Sequence, residues 1–247
     1  MKKYLIANWK MKLNHSETVK LAKQITKIKT TKYQLVVAPS TPYLFEVGKI
    51  LVKSNIKLSA QNLAAWSFGS YTGETSSSMI KEAGCQFSLI GHSERREHLN
   101  ESAEMIGQKV QQAIDHNITP VLCVGETEAE KKVDQTKTVL VQQIRKSLSS
   151  VKNLTQKKIV IAYEPVWAVG TGQVVDAESL EKAYLVIKHA VSMLTSARYF
   201  DQNVSFLYGG SLNSKNIELF VEIPYLQGFL VGGAGLDVNE LKQIVEA

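Results

Sequence analysis

The residues of this 247-residue chain that could do chemistry fall at the ends of short apolar runs. Asn8 and Lys10 close the first run, His92, Ser93 and Glu94 follow the fourth, and Glu164 follows the sixth. Glu164 is locked by Pro165 and trailed by an apolar stretch that ends in Gly170-Thr171-Gly172. The seventh and eighth runs end in glycine pairs, within Gly209-Gly210-Ser211 and Gly232-Gly233-Ala234. Together these supply a base, a neutral polariser, a cation, a carboxamide and an anion cradle. The set suits removal of a proton from carbon beside a carbonyl. A partly desolvated carboxylate serves as the general base. Donors stand ready around the oxygen that gains charge. Backbone N–H groups of glycine-rich loops hold a phosphate. Such chemistry calls for no cofactor and no metal. The histidines at 15, 92, 98, 116 and 189 form no zinc-binding helix pattern, and Cys85 and Cys123 have no ligand or redox spacing.

Each of these residues alone has an ordinary structural explanation. A lysine near a strand end is usually a snorkelling surface cation, a lone histidine a hydrogen-bonded structural one, and a Gly-Gly pair a tight turn. Their joint meaning depends on the elements that carry them. The apolar runs read as eight strands: Tyr4–Trp9, Gln34–Ala38, Lys57–Gln61, Phe87–Gly91, Thr119–Val124, Lys158–Tyr163, Val204–Tyr208 and Gly228–Val231. They are near-continuous rather than alternating, as in parallel sheets buried on both faces. Stretches of helical length lie between most of them. Asn14 with Glu17, Thr127 with Glu130 and Asp237 with Glu240 each place a capping side chain three residues before an acid, and Asp176 starts a further helix. No Pro/Gly/Ser-rich linker divides the chain. Eight β/α units in this length predict a single-domain α/β (β/α)8 barrel over residues 1–247, with chemistry at the C-terminal ends of the strands. A doubly wound open sheet is the alternative, but no G-x-G-x-x-G follows the first strand.

Charge and hydropathy narrow the partners. The net charge of +6 is uneven: residues 1–60 carry 12 lysines and 2 acids, and the remainder is slightly acidic. Lys20, Lys23, Lys27 and Lys29 fit the wet face of one amphipathic helix, and no nucleic-acid motif accompanies them, so nucleic acid is not expected. No apolar stretch approaches the roughly 18 residues of a spanning helix, so no membrane is expected. The first apolar run is too short for a signal-peptide core. The cysteine usage points to a reducing, cytoplasmic setting.

Several stretches are recognisable: ANWKM at 7–11, AQN at 60–62, YTGE at 71–74, GHSERR at 91–96, CVGE at 123–126, AYEPVWAVGTG at 162–172, YGGS at 208–211 and LVGGA at 230–234. With these the chain resembles the triosephosphate isomerase family from its first strand to its last helix. The resemblance implies interconversion of dihydroxyacetone phosphate and glyceraldehyde 3-phosphate through a cis-enediolate, in glycolysis and gluconeogenesis. It implies Glu164 as the base, His92 as the electrophile, Lys10 as the substrate-binding cation and Asn8 as the adjacent donor. That family is the type example of a histidine held neutral by a helix N-terminus. The backbone N–H groups of Gly170, Ser211, Gly232 and Gly233 correspond to its phosphate ligands, with Ser93 and Glu94 in support and Arg96 paired structurally with neighbouring acids. The resemblance further implies a homodimer in which Thr72 reaches the partner's active site.

Two other readings compete. A phosphate-binding barrel of the indole-glycerol-phosphate type explains the glycine loops but not the joint presence of Asn8, Lys10, His92 and Glu164. A non-catalytic barrel predicts the loss of a catalytic group, and none is missing. The departures from the family pattern lie elsewhere. Gln173-Val174-Val175 stands where smaller residues are usual, and its β-branched pair restricts the backbone at a hinge. Gln227 and Gly235 stand where Asp and Ser are common.

Overall fold

Every residue of the strand Ile159–Tyr163 is buried, yet its residues belong to two different clusters. Val160 and Ala162 pack with Ile6, Val36, Leu89, Val121, Leu207 and Leu230, whereas Ile159, Ile161 and Tyr163 pack with the apolar faces of helices. Side chains alternate across a strand, so the first cluster fills the inside of a barrel and the second lies between strands and helices. The strand sequence reads as unbroken apolar because both faces need it to be.

A computed structural model describes residues 3–247. The strands are β1 (Lys3–Asn8), β2 (Tyr33–Ala38), β3 (Lys57–Ala60), β4 (Phe87–Ile90), β5 (Thr119–Val124), β6 (Ile159–Tyr163), β7 (Val204–Tyr208) and β8 (Gly228–Val231). They pair in parallel in chain order, and β8 closes on β1 through Tyr4 opposite Gly228 and Ala7 opposite Val231. This is the (β/α)8 barrel that the alternation of runs predicts, with strand limits within a residue of those expected. The open-sheet alternative is excluded by the β1–β8 ladder.

The helix starts follow the caps. Asn14 and Thr127 each form a reciprocal capping box with the acid three residues on, and Asp176 accepts the Ser179 N–H. Asp237 also caps its helix, accepting from Asn239 and Glu240, but the Glu240 carboxylate accepts the Ser214 N–H instead of returning to the cap. One expectation needs correction. The first helix spans His15–Ile25, so Lys27 and Lys29 lie beyond it and only Lys20 and Lys23 share its exposed face.

The alternation also aims the site. Asn8 continues the inward parity of Ile6, Glu164 that of Val160 and Ala162, Gly209 that of Leu207, and Gly232 that of Leu230. At β4 the left-handed Gly91, φ 69°, breaks this alternation just before His92.

Candidate active site

The C-terminal mouth of the barrel holds a cavity of about 260 Å³. Asn8, Lys10, His92, Glu164, Gly170, Ser211, Gly232 and Gly233 all line it. A larger cleft of about 700 Å³ opens at the opposite end, with Lys29, Lys32 and Lys53 in its wall. Lys32 Nζ donates to the carbonyls of Glu246 and Ala247 at the C-terminus of the last helix, where a cation offsets the helix dipole.

Glu164 is almost wholly buried, 2 % exposed, directly beyond β6. Its Oε1 lies 3.3 Å from His92 Nε2, and its Oε2 accepts the Ser93 N–H at 3.3 Å. His92 N-caps the short helix Ser93–His98, and its Nδ1 accepts the Glu94 N–H at 3.2 Å. An accepting Nδ1 leaves the ring proton on Nε2, directed at the Glu164 side of the cavity. The Glu94 carboxylate stands 3.7 Å from the same Nδ1, outside hydrogen-bond range, so the backbone N–H sets the tautomer.

Lys10 reaches the mouth from the other side. Its Nζ contacts Glu94 Oε1 at 2.6 Å. Burial raises the Glu94 carboxyl, but its hydrogen bond to Lys10 and the charges of His92, Lys10 and His98 outweigh this and hold it below the usual range. The backbone of Lys10 adopts φ 50°, an uncommon conformation for a residue with a side chain. Three partners hold it there. Asn8 Oδ1 accepts its N–H at 3.0 Å, while Ser40 Oγ and Gln61 Nε2 donate to its carbonyl at 2.8 and 2.9 Å. Nothing in the residue types announces this strain.

The glycine loops form the far wall. A Cβ on Gly209 would stand 2.8 Å from Glu164 Cγ, so the base occupies space that only glycine leaves free. Above them, the loop that follows Glu164 is hydrogen-bonded down. Gly172 N–H donates to Ser211 Oγ at 3.2 Å, and Ser211 Oγ donates to the Ala168 carbonyl at 2.6 Å. Val175 N–H donates to Tyr208 Oη at 3.0 Å. At the near end, Trp167 Nε1 donates to the buried Glu126 carboxylate at 2.9 Å, which also accepts from Tyr163. Tyr208 and Glu126 are loop anchors that residue type alone does not reveal, since both read as packing or cap residues. Val175 is 2 % exposed, so the second hinge valine is a core residue rather than a free hinge.

Thr72 is exposed on the loop between β3 and the helix Ser77–Glu82. One expected placement differs, that of Arg96. Arg96 pairs with carbonyls, donating to Gly91 and Cys123 at 2.7 and 3.0 Å. Arg95 is the arginine that pairs with an acid, sharing Glu101 with Lys109.

A closed parallel barrel with a carboxylate, an imidazole and an ammonium at its strand ends defines a (β/α)8-barrel enzyme, whose working groups lie at that face. The family model described as triosephosphate isomerase matches residues 3–247. Curated relatives carry the same description: one from Rhodopirellula baltica is 36% identical over all of this chain and 98% of its own length. One from Caldanaerobacter subterraneus is 38% identical, and one from Thermoanaerobacter sp. 37%, each over 99% of both chains. The chain belongs to the triosephosphate isomerase family.

Proposed function

We propose that this chain interconverts dihydroxyacetone phosphate and glyceraldehyde 3-phosphate by proton transfer through a cis-enediolate, without a cofactor. The observation that carries the reading is the buried Glu164 carboxylate 3.3 Å from His92 Nε2, in one cavity with the glycine loops. Glu164 removes the proton beside the carbonyl and returns it to the neighbouring carbon. His92, with its proton on Nε2, donates to the oxygen that becomes negative. Lys10 adds positive charge beside that oxygen, and Asn8 fixes the Lys10 backbone. The N–H groups of Gly170, Ser211, Gly232 and Gly233 take the phosphate. The loop from Pro165 to Val175 covers the site and keeps water from the enediolate, a device for which this family is the type example.

A coupled assay of glyceraldehyde 3-phosphate isomerisation tests this. The wild type should turn over without added metal, and Glu164→Asp should lower kcat by about 10²- to 10⁴-fold through retraction of the base. Equal rates for the two proteins would sink the base assignment.

The same reading includes a homodimer and a cytoplasmic setting. Large apolar side chains are exposed after Lys10 and on the Thr72 loop: Met11 is 93 % and Phe68 87 % exposed, and Tyr71 stacks on Trp66. A second copy covering them would bring Thr72 near its partner's Asn8 and Lys10. Sedimentation equilibrium checks this: a fully active monomer at micromolar concentration contradicts it. No helix among the described residues is long and apolar enough to cross a membrane.

A further inference from the structure

Lys131 is exposed on the short helix Glu128–Lys132, and its ammonium stands 3.2 Å from the centroid of the Trp167 ring. Its neighbour Lys132 is engaged with Glu128 at 2.7 Å, while Lys131 enters no ion pair among the described residues. The indole is thus held on two sides by one connection, the segment after β5. Glu126 takes its Nε1 edge and Lys131 covers its face. Trp167 lies in the turn Val166–Ala168, the near end of the covering loop.

The far end of the loop has an anchor of its own. Asp176 caps the helix Ala177–Leu194, directly after the loop. Its carboxyl lies below the usual range chiefly through the Ser179 N–H and hydroxyl, with a lesser contribution from Lys131. Lys131 thus covers the ring at the near end of a loop whose middle is fixed to Ser211.

We propose that Lys131 is a positioning residue for the covering loop: its charge over Trp167 favours the arrangement hydrogen-bonded to Ser211 and Tyr208. Lys131 does not line the substrate cavity and acts through the ring. The negative face of an indole attracts a cation, and at an exposed site this shifts the ratio of loop arrangements by about two- to five-fold. The kinetic consequence rests on the isomerase reading; the loop consequence does not.

Lys131→Met removes the charge and keeps the chain length, and Lys131→Arg restores a cation that stacks on indole. Relaxation dispersion at the amides of residues 168–173, with and without inorganic phosphate, reads the loop directly in the full chain. Steady-state assays give kcat and KM separately. For Lys131→Met the open population and KM should each rise about two- to five-fold. Its kcat should stay within about twofold, because the base and electrophile are untouched. Lys131→Arg should restore both quantities. Wild-type exchange and KM in the methionine variant overturn the proposal. So does an arginine variant as perturbed as the methionine one, which would assign the effect to the helix rather than to the charge. If exchange responds as expected but the wild type does not isomerise triose phosphates, the isomerase reading alone fails.

Discussion

Tyr208 Oη and the Val175 N–H meet at 3.0 Å, joining the end of β7 to the far end of the loop that covers Glu164. Burial pushes the Tyr208 phenol up to about 12, against a small opposing effect of that N–H, so the hydroxyl stays protonated across the neutral range. Tyr208→Phe leaves a buried N–H without its partner, at a cost of about 1–3 kcal/mol to the covered arrangement. We expect kcat/KM to fall about five- to a hundredfold, with faster loop exchange in relaxation dispersion.

Gly209 and Glu164 share one volume. A methyl at Gly209 would press on Glu164 Cγ from 2.8 Å and displace the base. Gly209→Ala should therefore lower kcat while leaving phosphate affinity nearly intact. A displacement near 1 Å costs about a hundredfold. Steady-state kinetics together with a phosphate titration separate the two effects.

The hinge pair Val174-Val175 bears on stability as well as motion. Val175 sits in the core cluster, and Val174 packs against it. Val175→Ala removes two buried methyl groups, worth about 1.5 kcal/mol at about 0.8 per group. A lower denaturation midpoint together with a faster-opening loop is the expected result. Unchanged exchange rates in a Val174→Thr, Val175→Ala double variant would remove the hinge argument.

Glu94 sets an acid-side limit. Its carboxyl lies below its ordinary value of 4.5 in the fold, so the unfolded chain binds that proton more readily. The stability it contributes is present above the ordinary value and is lost as pH falls through the lowered one. Denaturant midpoints of the wild type and Glu94→Gln should differ by a constant amount at neutral pH. The difference should shrink below about pH 4.5, since acid neutralises the carboxylate that glutamine replaces.

Much of this was legible in residue order. The eight apolar runs announced the barrel, because strands buried on both faces cannot hide their composition. Asn8 stood out as a polar residue closing such a run and His92 and Glu164 as polar residues following others, and the barrel gives one address to all strand ends. The arginines were less legible: two adjacent residues of one type differ only in direction, and the helix turn after His92 sends Arg95, not Arg96, toward Glu101. Lys27 and Lys29 followed the helical spacing past Thr26, where the four-residue hydrogen-bond pattern gives way to tighter turns. The Lys131–Trp167 pair lies 36 positions apart in the chain, and no local pattern joins two residues from separate connections.

The left-handed backbone of Lys10 sets folding and turnover against each other at one position. A lysine there carries a local strain of about 1–3 kcal/mol, held by Asn8, Ser40 and Gln61. Asparagine tolerates that conformation better. Lys10→Asn relieves that strain but gives up the Lys10–Glu94 contact, so it should melt close to the wild type while losing nearly all activity, as paired thermal melts and assays can show. Selection for heat resistance alone would not hold lysine here. Library design for a hardier variant should hold residue 10 fixed and seek its gains on the helices.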